Sequence, residues 1–142
     1  MRRHACGEHP EIRDYGCNPF VLNIHHATCM NENFRTTLWT GRDMQLTLMS
    51  IPVCGDIGVE MHADMDQFIR VESGRAKVYM GNCRNDLREE ACLDGHDAIL
   101  IPAGTWHNIV NVGNRPLKLY SLYAPPQHPF GTVHPTKEDA EH

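Results

Sequence analysis

The six cysteines of this 142-residue chain include no Cys-x-x-Cys pair. Cys6, Cys17, Cys29, Cys54, Cys83 and Cys92 are widely spaced, which excludes a zinc ribbon or a thioredoxin-type redox motif and predicts free thiols in a reducing compartment, with Cys54 expected as a small buried apolar residue. No cluster of basic residues exceeds Arg2-Arg3, and 13 Lys and Arg against 18 Asp and Glu give a net charge of −5. Neither nucleic acid nor an anionic membrane surface is therefore expected as a partner. No apolar run is long enough to span a membrane, and the Met1-Arg2-Arg3 start has no hydrophobic segment behind it, so a cytoplasmic location is expected. Internal repeats, low-complexity segments and a Gly-rich phosphate cradle are all missing, and no composition shift divides the chain. One domain with one core is expected.

What is present is a series of short apolar runs punctuated by Gly and Pro. Phe20 to Ile24, Thr36 to Thr40, Met44 to Ile51, Arg75 to Met80 and Glu89 to Leu93 read as strands, with a short helix or turn over His25 to Glu32. His107 to Val112 and Leu117 to Tyr123 read as a last hairpin turned at Gly113 to Pro116. Residues 124–131 are rich in proline, which cannot join a ladder, and Thr136 to Glu141 reads as an N-capped helical turn. This spacing predicts an all-β antiparallel sandwich or barrel, with residues 1–18 as an N-terminal arm, 19–126 as the barrel and 127–142 as a C-terminal tail.

Two segments about forty residues apart place potential metal ligands on strand-like sequence. In Gly58 to Gly74, Glu60 and His62 are two apart, so on an extended chain both project to one face. Gln67 shares its face with Ile69 and Val71, which puts a polar amide on the apolar side, where it needs a partner. In Pro102 to Asn111, His107 follows a Pro-x-Gly turn and could complete a set of four donors.

These residues resemble the two motifs of the cupin superfamily. The second motif matches from Pro102 through Gly104 and His107 to Asn111, with His96 at its opening Gly position. In the first, His62, the gap to Gln67 and the gap to Gly74 keep the family spacing, while Glu60 replaces the first His, Gln67 the Glu and Cys54 the opening Gly. Stretches such as Asn33 to Gly41, Leu46 to Pro52, Asp97 to Asn108 and Pro116 to Pro126 are similar to small single-domain cupins of the mannose-6-phosphate isomerase-like type. The resemblance implies a cupin jelly-roll β-barrel with a short C-terminal helical turn. It also implies one divalent ion held by Glu60, His62, Gln67 and His107. Imidazole and carboxylate suit Zn, Mn, Fe, Ni or Co, and the lack of thiolate in the set disfavours Cu(I).

The reaction stays open. A metal-dependent isomerase of a sugar or sugar phosphate is what the likeness implies, but no general base and no cationic cluster stand out; Arg35, Lys118 and Lys137 are the available cations. Two His and one carboxylate alternatively form the ligand set of non-haem oxygenases acting on a small enol or phenol. A metal or small-ligand binding module without turnover is the third reading. His4, His9, His25, His26 and His128 have no partner at ligand spacing, so surface or packing roles are expected for them, and His134 is expected to fix the C-terminal tail. Phe68 on the outward face of the first motif strand is too apolar for a solvated sheet, which leads to an expectation of a homodimer.

Overall fold

The structure, a computed structural model, describes residues 11–141. His4, His9 and Cys6 therefore lie outside the described residues. In chain order the elements are α1 (Ile24–Met30), β1 (Arg35–Thr40), β2 (Gln45–Ile51), β3 (Asp66–Ser73) and β4 (Ala76–Gly81). They continue with β5 (Arg88–Leu93), β6 (Ala98–Ile101), β7 (Trp106–Asn111), β8 (Leu117–Ala124), β9 (Val133–His134) and α2 (Lys137–Ala140). All pairings are antiparallel, in a six-stranded sheet ordered β6-β3-β8-β2-β1-β9 and a three-stranded sheet ordered β5-β4-β7. This is the all-β antiparallel architecture expected from the strand spacing and the jelly roll implied by the resemblance, with Thr136 capping the short C-terminal helix.

Period-two alternation determines the interior. On β3 Gln67, Ile69 and Val71 are buried, and on β7 His107, Ile109 and Asn111, while the residues between them face outward. Between the sheets, Met49, Ile51, Ile69, Val71, Val78, Ile109, Leu117 and Leu119 form the main apolar core. A second cluster, Ala27, Leu38, Leu46, Leu48 and Tyr120, lies on the outer face of the large sheet, where α1 covers it. Partners directly opposite in an antiparallel pair share a face, so register sorts the inner wall into rows. Val71, Leu119 and Met49 make an apolar row; Ile69, Ser121 and Thr47 come next; Gln67, Tyr123 and Gln45 make a polar row at one end. The barrel is thus dry at one end and polar at the other.

Three expectations need correction. Phe20 to Ile24 is not a strand: Asn23 caps α1, its side chain accepting from the His26 amide, and the helix begins at Ile24. The segments β7 and β8 do not form a hairpin, because the turn after Asn111 carries the chain from the small sheet to the large one, where β8 pairs with β2 and β3. Cys54, read as a small buried apolar residue, is exposed, and the five cysteines among the described residues are free thiols.

The C-terminal residues return to the barrel. Gln45 is fully buried and clamps them: its amide donates to the His128 carbonyl and its oxygen accepts from the Gln127 and His128 amides. Asp14 accepts from the Gly131 amide, and β9 then pairs with β1, bringing His134 opposite Arg35. Among the described residues no helix is long and apolar enough to cross a membrane.

Candidate metal centre

Glu60 and His62 precede β3 and are carried by the other sheet. The chain from Asp56 to Glu60 touches β7 through isolated bridges, Asp56 to Val110 and Glu60 to His107. Gly58 between them adopts φ +102°, a conformation that disfavours side-chain-bearing residues, and this breaks the ladder. The continuous strand read from the sequence is therefore two pieces: a bridged arm bearing Glu60 and His62, and β3 bearing Gln67. Gly104, at φ +85° in the turn after Pro102, donates its amide to the His62 carbonyl at 2.8 Å. The turn of the second motif thus pins the ligand arm of the first.

These constraints bring Glu60, His62 and His107 together, with one donor atom from each lying within 4.8 Å of the others. Glu60 Oε1 stands 3.3 Å from His107 Nε2 and 3.4 Å from His62 Nε2. Donors held about 2.1 Å from one ion stand about 3.0 to 3.4 Å apart in octahedral or tetrahedral arrangement, which is the spacing found. The His107 Nδ1–H donates to the Thr105 carbonyl at 2.9 Å, which turns Nε2 toward the site. Burial alone would raise the Glu60 carboxyl, but His107 and His62 beside it outweigh that and hold it at about 2. It is a carboxylate, ready to ligate.

Two buried polar atoms lack a hydrogen bond, His62 Nε2 at the site and Gln67 Oε1 on the inner wall in the row of Tyr123. The His62 nitrogen is close to Glu60 without the geometry of a hydrogen bond, and the Gln67 amide spends its Nε2 on Ser121 Oγ at 3.3 Å. Buried atoms of this kind are costly unless something else satisfies them. A divalent cation would do so for His62, accepting the lone pair of its imidazole nitrogen. The donor set fits the ion that the sequence implied.

Two further groups pack beside the candidate ligands at the polar end of the barrel. Tyr123 is buried and packs edge-on against His62, centroids 5.6 Å apart; burial and the Glu60 charge push its phenol up to about 12. His128 packs against the other side of Tyr123 at 5.4 Å, with its Nε2 buried and unpartnered. Burial and the Arg35 charge lower the His128 imidazole to about 4, so it is neutral. A lone His in a Pro-rich stretch gave no sign of this, because only the Gln45 clamp aims it inward. His134 does fix the tail as expected, and its Nδ1 also lies 3.4 Å from Arg35 Nη1.

A jelly roll with two facing His and a carboxylate at one mouth defines a metal-binding barrel class. The family description "Cupin domain" matches residues 47–123, and the chain belongs to the cupin family. The chain is 57% identical to a protein of Bacillus halodurans with a solved crystal structure, at a TM-score of 0.90, covering 92% of this chain and 98% of that one. It is 56% identical to the uncharacterized protein YrkC of Bacillus subtilis over 91% of this chain and 69% of the relative. KdgF from Halomonas sp. shares the fold at 20% identity and a TM-score of 0.56, covering 66% of this chain and 80% of that one. Cupin domains typically bind a metal, and this chain carries a candidate His/Glu site for one.

Proposed function

We propose that the protein is a divalent-metal cupin acting on a small hydroxy-carbonyl compound by moving a proton on a carbon beside the carbonyl, the chemistry of an isomerase. Glu60, His62 and His107 hold the ion, with Gln67 as a fourth donor. When bound, the ion would polarise the substrate carbonyl. The observation that carries the reading is His128, a half-buried neutral imidazole whose buried Nε2 is unpartnered, linked to His62 through the Tyr123 ring. It supplies the proton acceptor that was missing from the sequence. Tyr123 stays protonated and can donate to a developing oxyanion.

A phosphorylated substrate is less well supported. Lys118 donates to the Asn31 carbonyl and Lys137 pairs with Asp56, so neither joins Arg35 in a cationic cluster. A dioxygenase of a small enol or phenol is the second reading, favoured by the donor set itself: two His and one carboxylate, with no second acidic ligand in the cluster among the described residues. Metal analysis followed by two assays separates them. Isomerisation is followed by NMR on a panel of hydroxy-aldehydes and hydroxy-ketones, and oxygen uptake on a panel of phenols. Turnover in the first with His128→Ala inactive supports the isomerase; oxygen uptake that needs iron supports the oxygenase; stoichiometric metal without turnover in either leaves a binding module.

A further inference from the structure

Arg35 is the one charged side chain on the inner wall of β1, and among the described residues no ion pair answers it. It shares a face with Thr37, two residues on, and both are buried. Arg35 is only 6% exposed. Among the described residues no carboxylate forms an ion pair with it, and its Nε is buried without a hydrogen bond. Its contacts are the His134 Nδ1 at 3.4 Å from Nη1 and the Phe34 ring, whose centroid lies 5.4 Å from Cζ. From there a chain of rings leads to the metal ligands: His134 to His128 at 6.5 Å, His128 to Tyr123 at 5.4 Å, Tyr123 to His62 at 5.6 Å. A buried guanidinium without a counter-charge is costly, and it persists where a ligand supplies that charge.

We propose that Arg35 is the carboxylate-binding group of the substrate pocket, so that the molecule taken by this site is a small oxo- or hydroxy-carboxylate. The inference rests on the metal-site reading only for the placement of the second oxygen. A planar guanidinium offers paired N–H groups that match the two oxygens of a carboxylate. The charge balance agrees in sign: a divalent ion on Glu60 leaves one positive charge, Arg35 adds another, and a carboxylate offsets one of the two. A carboxylate is favoured over a phosphate because, among the described residues, Lys118 and Lys137 are engaged elsewhere and no second cation or Gly-rich loop joins Arg35.

Pyruvate and its neutral counterpart hydroxyacetone, with inorganic phosphate as a third probe, test this by isothermal titration against metal-loaded and metal-free protein. Wild type should bind pyruvate in preference to both other probes, and Arg35→Gln should weaken pyruvate by about tenfold or more while leaving metal affinity unchanged. Arg35→Lys should recover only part of the loss, because an ammonium cannot present the fork. Arg35→Met should raise the melting temperature of the metal-free protein, since it removes an unanswered buried charge; a merely structural arginine would lower it. Pyruvate binding that is absent from wild type, equal in Arg35→Gln, or weaker than that of phosphate or hydroxyacetone would overturn the assignment. If the metal is absent but pyruvate still binds through Arg35, the metal reading falls and the carboxylate subsite stands.

Discussion

Glu60 and His107 face each other in an antiparallel bridge, exchanging both backbone hydrogen bonds at 3.0 and 2.9 Å, and their side chains meet on the barrel's inner face with Oε1 3.3 Å from Nε2. Residues that exchange both bonds share a face, so the backbone itself brings these two donors together. The third, His62, is placed by the bond from the Gly104 amide to its carbonyl. Replacing Gly104 with Ala should therefore weaken metal binding without touching a ligand, because φ +85° is strained for any side chain. Metal affinity measured by competition with a chelator checks this; affinity equal to wild type would show that the turn does not position His62.

Gln67→Glu should tighten metal binding by about tenfold or more, as a charge replaces a neutral oxygen beside a divalent ion. In the metal-free protein the same change should lower the melting temperature, since the new carboxylate loses the amide donor to Ser121 and gains no partner. Titration calorimetry and melts of the metal-free proteins read the two effects separately. A lower melting temperature with unchanged affinity would remove Gln67 from the donor set.

Cys54 and His96 occupy the two positions where the cupin motifs open with Gly, and they are the non-glycine residues of positive φ, at 66° and 79°. Both hold a left-handed conformation that glycine adopts without strain. Cys54 is exposed, so Cys54→Gly should relieve strain and stabilise by about 1 kcal/mol. Chemical denaturation showing a loss of stability would contradict the strain argument.

Asp14 ties the segment before the barrel to the C-terminal strap, accepting from the Gly16, Thr40 and Gly131 amides and the Thr40 hydroxyl. Burial would raise its carboxyl, but the hydrogen bonds from Thr40, Gly16 and Gly131 together hold it below the usual range. A depressed carboxyl contributes stability above its unfolded value, about 3.9, that is lost as pH falls through the folded value. Asp14→Asn should therefore cost about 2 to 3 kcal/mol at pH 7 and flatten the acid limb of the stability curve. An unchanged acid limb would show that other carboxylates govern it.

On the outer face, Met44, Phe68, Leu100 and Leu122 line an apolar groove of about 420 Å³, with Leu100 75% exposed at the edge strand β6. This groove supports the homodimer expected from Phe68, although α1 already covers part of that sheet. Light scattering should give twice the 16.1 kDa chain mass, and Leu100→Asp should return the monomer. A wild-type monomer at micromolar concentration would reject the dimer.

The strands and ligand faces were legible because alternation survives locally: Gln67, Ile69 and Val71 fall inward as their spacing requires. What the sequence concealed depends on long-range placement. Nothing local distinguishes β8 as a partner of β2 and β3 from the second arm of a hairpin with β7, since both pairings bury Leu117 and Leu119. The inward aim of His128 depends on Gln45, 83 residues earlier, and that of Arg35 on the strap that lays His134 opposite it. The ligands came from a motif; the rest of the pocket came from topology.

The central claim is that His62 and His107, with Glu60, hold an ion. Elemental analysis of dialysed protein should find one divalent ion per chain in wild type and in His26→Ala, and almost none in His62→Ala or His107→Ala. Retention should fall as the solution is acidified, because an imidazole ligates only when neutral. Equal metal content in all four proteins would contradict the site.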